Sequence, residues 1–268
     1  MPAFICTTCG TQYPPSGTPR EDCPICLDER QYVTAAGQVW ITLPEMRGPY
    51  FNGWRRHEEN LYGIGTLPNF AIAQRALLVR TPHGNVLWDC ITLIDDATVD
   101  LVKSLGGISA IAISHPHYYS SMVEWAHAFD CPVWLHEADR EHIMRPDPSQ
   151  RFWSGSTHQL MDGLTLINAP GHFDGAAMLH WAAGAGGKGA LLSGDIVQVS
   201  ADRKTAGFMR SYPNWIPLGP KGVQRIWDAT RPYDFERVYG AWWDRAIMAD
   251  GKAAVERSVA RTLHWLAD

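Results

Sequence analysis

The sequence predicts an α/β protein in which layers of sheet and helix follow a short cysteine-rich N-terminal segment. Three observations carry that expectation. Candidate strands and helices interleave along the whole chain, the pattern of packed sheet and helix layers. The run ISAIAIS at residues 108–114 is apolar and uncharged, as a fully buried strand is. Two C-x2-C pairs fall within the first 26 residues and are absent thereafter. Composition agrees: with 46% hydrophobic and 19% charged residues, a 268-residue chain can bury a sizeable core and is not globally disordered. A net charge of −5 argues against nucleic acid held on a basic surface. The 12 tryptophans are scattered and read as core and pocket walls.

The start, MPAFICTTCG, has no basic segment leading into an apolar one, so no secretory signal is expected and a cytoplasmic protein is. The longest weakly charged stretch, residues 175–194, contains six glycines, Lys188 and His180, and is a poor membrane span. Two strands around the Gly-rich turn AAGAGGKGA explain it better.

In chain order, residues 1–32 form a ribbon and residues 33–268 one further domain. Residues 71–81 and 86–93 read as strands around the turn Pro82-His83-Gly84-Asn85. A helix over 97–105 precedes the buried strand at 108–114. A helix over 120–129, a short strand at 133–135 and a helix over 137–144 come next. Strands are expected at 164–169, 178–182, 190–193 and 237–242, with a helix over 221–230. The last helix, 252–266, sets Val255, Val259, Leu263 and Leu266 on one face, with Asp250 as candidate N-cap. The charged loop 49–65, containing His57, is placed as a candidate lid.

Cys6 and Cys9 are followed, after thirteen residues, by Cys23 and Cys26. Two such turns let four thiolates converge on one tetrahedral ion, and Gly10 permits the first tight turn. The intervening QYPPSGTP suits a loop that brings them together. Two disulfides are the alternative, disfavoured in a reducing compartment. Four thiolates leave no open position, so the ion, zinc by this pattern, is structural, and it supplies the folding energy that some thirty residues cannot. Cys90 and Cys131 lie in apolar settings and read as inert.

A second cluster is built from histidine. Ser114-His115-Pro116-His117-Tyr118-Tyr119-Ser120 follows the buried strand; Gly171-His172-Phe173-Asp174-Gly175 and Ser193-Gly194-Asp195 follow later strands. Three His and one Asp, each at a strand end, make a set of ligands suited to zinc or iron. His136 reads as a cap or site-rim residue, His57 as part of a solvated charge cluster, and His127, His142, His180 and His264 as surface or packed residues.

These motifs, in this order over roughly residues 65–245, resemble the metallo-β-lactamase superfamily. The segment Leu87-Trp88-Asp89-Cys90 stands at that family's structural Asp. The resemblance implies an αββα sandwich, here behind a small four-cysteine zinc ribbon, with the metal site at one edge between the sheets. It implies that His115, His117 and His172 ligate a first metal and that Asp195 is the acidic ligand. The family motif H-x-H-x-D-H departs here: Tyr119 and Ser120 stand where the ligands of a second metal would be, and Val238-Tyr239-Gly240-Ala241-Trp242-Trp243 lacks the family's final His. At most one ion is therefore expected at the His site.

The reading that follows is a metal-dependent hydrolase of a small molecule, with Asp195 as fourth ligand or as the group that orients water or takes its proton. Tyr119 either donates to a developing oxyanion or fills the space of the second metal. Two alternatives stay open. One is a degenerate, non-catalytic member of the fold in which Trp125, Trp153, Trp242, Trp243 and Phe173 bind a flat ligand. The other is an iron redox protein, since FICTTCGTQY resembles a rubredoxin turn; flavodiiron proteins, however, need carboxylates where Tyr119 and Ser120 stand. The ribbon's role, as site cover, homodimer contact or brace, is left open by the sequence.

Overall fold

A computed structural model describes residues 1–267. The chain divides into two compact units, one of residues 1–135 and 140–152, the other of His136–Asp139 and the chain from Trp153 onward.

In the first unit, strands β1 (Ala3–Cys6), β2 (Gln12–Pro15) and β3 (Trp40–Ile41) form a small sheet in the order β2-β1-β3. The cysteine segment thus takes a strand from beyond residue 32. The main sheet is built from β4 (Phe51–Glu58), β5 (Leu61–Leu67), β6 (Arg75–Val79), β7 (Val86–Trp88), β8 (Ala110–Ala112), β9 (Val133–His136) and β10 (Gln150–Trp153), ordered β10-β9-β8-β7-β6-β5-β4. Strands β4 to β7 pair antiparallel, whereas β7, β8 and β9 run parallel. Parallel neighbours need crossovers, which the helices Asp96–Ser104 and Met122–Phe129 supply. Asp95 caps the first of these, its carboxylate accepting from Thr98 N at 2.7 Å. All three residues of β8 are buried, as its uncharged sequence requires.

The expected lid is a correction. Its residues form the hairpin β4–β5, paired from Phe51↔Leu67 to Glu58↔Leu61. The charges that made it look like a loop lie on β4, the sheet's edge strand, where charge protects an open edge. His57 is likewise not in a solvated cluster: its Nε2 accepts from Nη1 of the buried Arg75 at 2.8 Å.

The second unit carries β11 (Thr157–Met161), β12 (Leu164–Asn168), β13 (Ala177–Trp181), β14 (Ala190–Gly194), the short ribbons β15 (Gln198–Val199) with β16 (Ala206–Gly207) and β17 (Met209–Ser211) with β18 (Ile216–Pro217), then β19 (Arg237–Gly240) and β20 (Ala246–Ile247). Its sheet runs β11-β12-β13-β14-β19-β20, parallel only between β14 and β19, where helix Pro220–Thr230 makes the crossover. Helix Gly251–Trp265 packs Val255 and Val259 into the core with Ile167, Phe173, Leu191, Ile226 and Val238. Asp250 does hold its N-cap position, but in a left-handed conformation and without a side-chain capping bond.

Among the described residues no helix is long and apolar enough to cross a membrane.

Candidate metal centres

The first centre is made by local chain geometry. Cys6 ends β1 and Cys9 sits in the turn after it, with Gly10 N bonded to Cys6 O at 2.8 Å. Cys23 precedes helix Pro24–Leu27, which contains Cys26, and Cys26 N bonds to Cys23 O at 2.9 Å. All four side chains are buried and no disulfide forms. Their Sγ atoms lie within 4.8 Å of one another, with Cys6–Cys26 and Cys9–Cys23 each at 3.6 Å. That is too long for an S–S bond, near 2.05 Å. It is close to the ~3.8 Å edge of a tetrahedron with metal–sulfur bonds of about 2.3 Å. The donor set therefore fits a thiophilic ion. Hydrogen bonds shared among the sulfurs hold Cys6 and Cys23 below the ordinary thiol value and push Cys9 and Cys26 above it. Tyr13 Oη and Cys23 Sγ share a hydrogen bond at 3.0 Å. Cys90 and Cys131 are different: burial pushes the first thiol well up and the second to about 12, so both are inert at neutral pH.

The second centre gathers His115, His117 and His172, all buried, each offering a ring nitrogen within 4.8 Å of the others. The first two follow the C-terminal end of β8, in and beside a 3-10 turn at Pro116–Tyr118. Asp89 adopts φ 61° and accepts Ser114 N–H at Oδ1, 2.8 Å away. It thereby fixes where the histidine loop leaves the strand. Ser114 Oγ lies 2.9 Å from His115 Nδ1. In the other unit, His172 Nδ1 lies 3.1 Å from Met209 O. A carbonyl only accepts, so His172 carries its proton on Nδ1 and presents the Nε2 lone pair. Engaging one ring nitrogen to aim the other is how protein imidazoles are prepared for metals. Three imidazoles so arranged fit a borderline divalent ion such as zinc or ferrous iron.

The structure also shows residues that no motif flags. Asp139 Oδ1 accepts Gly175 N–H at 2.7 Å, and a Cβ on Gly175 would lie 2.6 Å from Asp139 Cγ, so only glycine closes this loop on that carboxylate. Arg210 Nη1 donates to His172 O at 3.3 Å. Tyr212 Oη donates to Asp195 O at 2.6 Å, its ring 6.0 Å from that of His172. Burial, with the Asp195 carboxylate nearby, keeps the Tyr212 phenol protonated. Met209, Arg210 and Tyr212 lie 37 or more residues from His172 in a stretch without pattern; the pairing β17–β18 is what delivers them.

Asp195 is buried just past β14, beside Tyr212, and is not in the group that comes within 4.8 Å. Tyr118 is buried with its ring 4.4 Å from that of His115. Tyr119, also buried, lines a small cavity with Thr11, Gln12, Met122, Met144 and Arg145. Trp125, Trp153 and Phe173 are core residues; Trp125 Nε1 donates to Ile91 O at 2.9 Å. His136 has both ring nitrogens engaged by backbone, accepting Ala138 N–H at 3.2 Å and reaching Gly155 O at 3.2 Å.

Replacing Asp139 by Ala is expected to destabilise the chain by about 1–3 kcal/mol through the orphaned Gly175 N–H. It should also weaken metal retention by about 10-fold, by loosening the loop that carries His172. Asp139→Asn, which keeps the acceptor, should recover most of both. Urea unfolding and chelator competition measure the two effects.

Comparison with known proteins places this fold. The chain resembles the solved structures of the DIM-1 metallo-β-lactamase exposed to ceftazidime (TM-score 0.59, 12% identity, 81% of this chain and 98% of that one) and of TMB-1 (TM-score 0.60, 11% identity, 81% and 99%). A metallo-β-lactamase from Hirschia baltica matches with TM-score 0.56 and 15% identity over 79% of this chain and 97% of that one. The protein has the metallo-β-lactamase fold, with a four-cysteine cluster at its N-terminus and a three-histidine cluster at its strand ends. No family model matches the chain. It is 48% identical over 268 residues to the uncharacterized protein YmaE of Bacillus subtilis (strain 168), covering 99% of this chain and 97% of that protein, and it belongs to the same family.

Proposed function

We propose that this chain is a metal-dependent hydrolase of a small molecule, with a single ion at His115, His117 and His172 and a structural zinc at the four cysteines. The observation that carries the reading is the grouping of three buried imidazoles, two of them with Nδ1 engaged so that Nε2 is left as the ligand atom. A zinc ion in such a three-nitrogen site supplies Lewis acidity and brings the pKa of a coordinated water to ~7. The chain's own residues do the rest. Asp89 and Ser114 orient His115, while Met209 orients His172. We assign the proton-accepting role to Asp195, which is buried and whose backbone Tyr212 fixes through the Asp195 carbonyl. We assign Tyr119, which lines the small cavity beside Thr11 and Met144, a space-filling role.

A one-ion site also follows from side-chain chemistry: Tyr119 and Ser120 are poor ligands for a hard or borderline divalent ion. The test is turnover of a panel containing a β-lactam, a thioester, a phosphodiester and a lactone. Activity on at least one should vanish on chelation and return with zinc or ferrous iron. A chain holding metal at the histidines yet inert on every class would support the ligand-binding alternative instead.

A further inference from the structure

We propose that the four-cysteine module is the brace of the histidine loop: the two positions at which the resemblance would place ligands of a second ion, Tyr119 and Ser120, dock the module instead, so that the ion in the cysteines sets the order of residues 114–121. The consequence for metal retention at His115 and His117 rests on the function proposed above; the brace itself does not.

The contacts all lie within the first unit. Ser120 is a non-glycine residue at φ 45°, a conformation that needs support from its surroundings. That support comes from both sides. Its carbonyl accepts Gln12 N–H at 3.1 Å, and its Oγ accepts Gln74 Nε2–H at 3.0 Å. Gln12 opens the strand that follows the first cysteine pair. One residue on, Ser121 Oγ donates to Thr92 O at 2.6 Å, and Thr92 Oγ1 in turn donates to Gly10 O at 3.1 Å. Gly10 is the turn residue of the Cys6–Cys9 knuckle itself, at φ 82°, and a Cβ there would lie 2.6 Å from Thr92 Oγ1. A third contact flanks these: Gln12 Nε2 donates to Glu124 Oε1 at 3.2 Å, and Arg145 Nη1 bonds both that carboxylate, at 2.6 Å, and Gln12 Oε1. The remaining cavity beside Tyr119 is about 10 Å³, room for no more than a water molecule.

The physical link is short. Four buried thiols a few ångströms apart hold a defined tetrahedron only around an ion, and small cysteine modules lose their shape without one. When the knuckle loosens, Gly10 O and Gln12 N–H leave the positions that hold Thr92 and Ser120. The left-handed turn after His117 then loses the bond that holds the Ser120 carbonyl, and the two imidazoles lose their preorganisation.

Hydrogen exchange on the full zinc-loaded chain tests this. Cys9→Ser/Cys23→Ser empties the module; Gly10→Ala keeps all four cysteines and wedges the module from Thr92. Both are expected to raise amide exchange at residues 114–121 by about 10-fold or more, with protection of strands β5 and β6 of the same unit unchanged as proof that this unit stays folded. Zinc retention at the histidines against a chelator should fall by about 10-fold, the cost of losing an outer support of a metal ligand. Unchanged exchange at 114–121 in either folded variant overturns the proposal. Should the cysteine variant lose protection at β5 and β6, Gly10→Ala decides alone, its cysteine site checked by the thiolate-to-metal absorption of bound cobalt. Loop exchange that follows the module in a wild-type chain holding no ion at its histidines upholds the brace and overturns the metal-site reading.

Discussion

Replacing His115 and His117 together by Ala is expected to take the metal content from two ions per chain to one. The remaining ion belongs to Cys6, Cys9, Cys23 and Cys26, whose sulfur geometry does not depend on the histidines. Two of three imidazole ligands are then gone, and the loop around them offers only the hydroxyls of serine and tyrosine, which do not replace imidazole for zinc or ferrous iron. Because a catalytic ion contributes several kcal/mol to transition-state stabilisation, hydrolysis should fall by about 10³-fold or more. Plasma mass spectrometry of both proteins, with turnover on whichever substrate class is active, makes the comparison. A single ion in wild type and variant alike would remove the histidine site from the account.

The second large effect falls on Asp89. It is buried, adopts a left-handed backbone conformation, and holds Ser114 N–H at the point where the histidine loop begins. Asp89→Ala orphans a buried donor, at about 1–3 kcal/mol. It also forces Ala into a conformation that costs about 1–2 kcal/mol. A loss of about 2–5 kcal/mol in urea unfolding is expected, together with weakened metal binding. Asn keeps an acceptor oxygen and tolerates the left-handed region, so Asp89→Asn should stay within about 1 kcal/mol of wild type. Equal losses for Ala and Asn would show that the carboxylate's charge, and not this hydrogen bond, is what matters.

The contrast between these residues and others explains what was legible. Asp89 lies directly after β7, and His115 and His117 just after β8, at strand ends where the local chain dictates direction. The β4–β5 hairpin was not legible, because an edge strand carries its charges outward and resembles a loop in composition. Asp250 is legible as a helix start but its missing capping bond is not, since capping depends on a backbone conformation that the residue type does not specify.

Within the site the division is sharper. Spacing alone determined the four-cysteine cluster, because two C-x2-C turns can present their sulfurs only over a few residues of chain. It also determined that His115, His117, His172 and Asp195 each follow a buried strand. Only the tertiary structure decided which atoms support them: Met209 and Arg210 on His172, Tyr212 on Asp195, Asp139 on Gly175, and Gln12 and Gly10 on the histidine loop. These partners come from segments 17 to more than 100 residues away, joined by sheet pairing and crossovers. A hydrogen-bond partner needs only an acceptor or a donor at the right point in space. Many residue types provide that, and so such partners leave no mark in sequence until the fold brings them together.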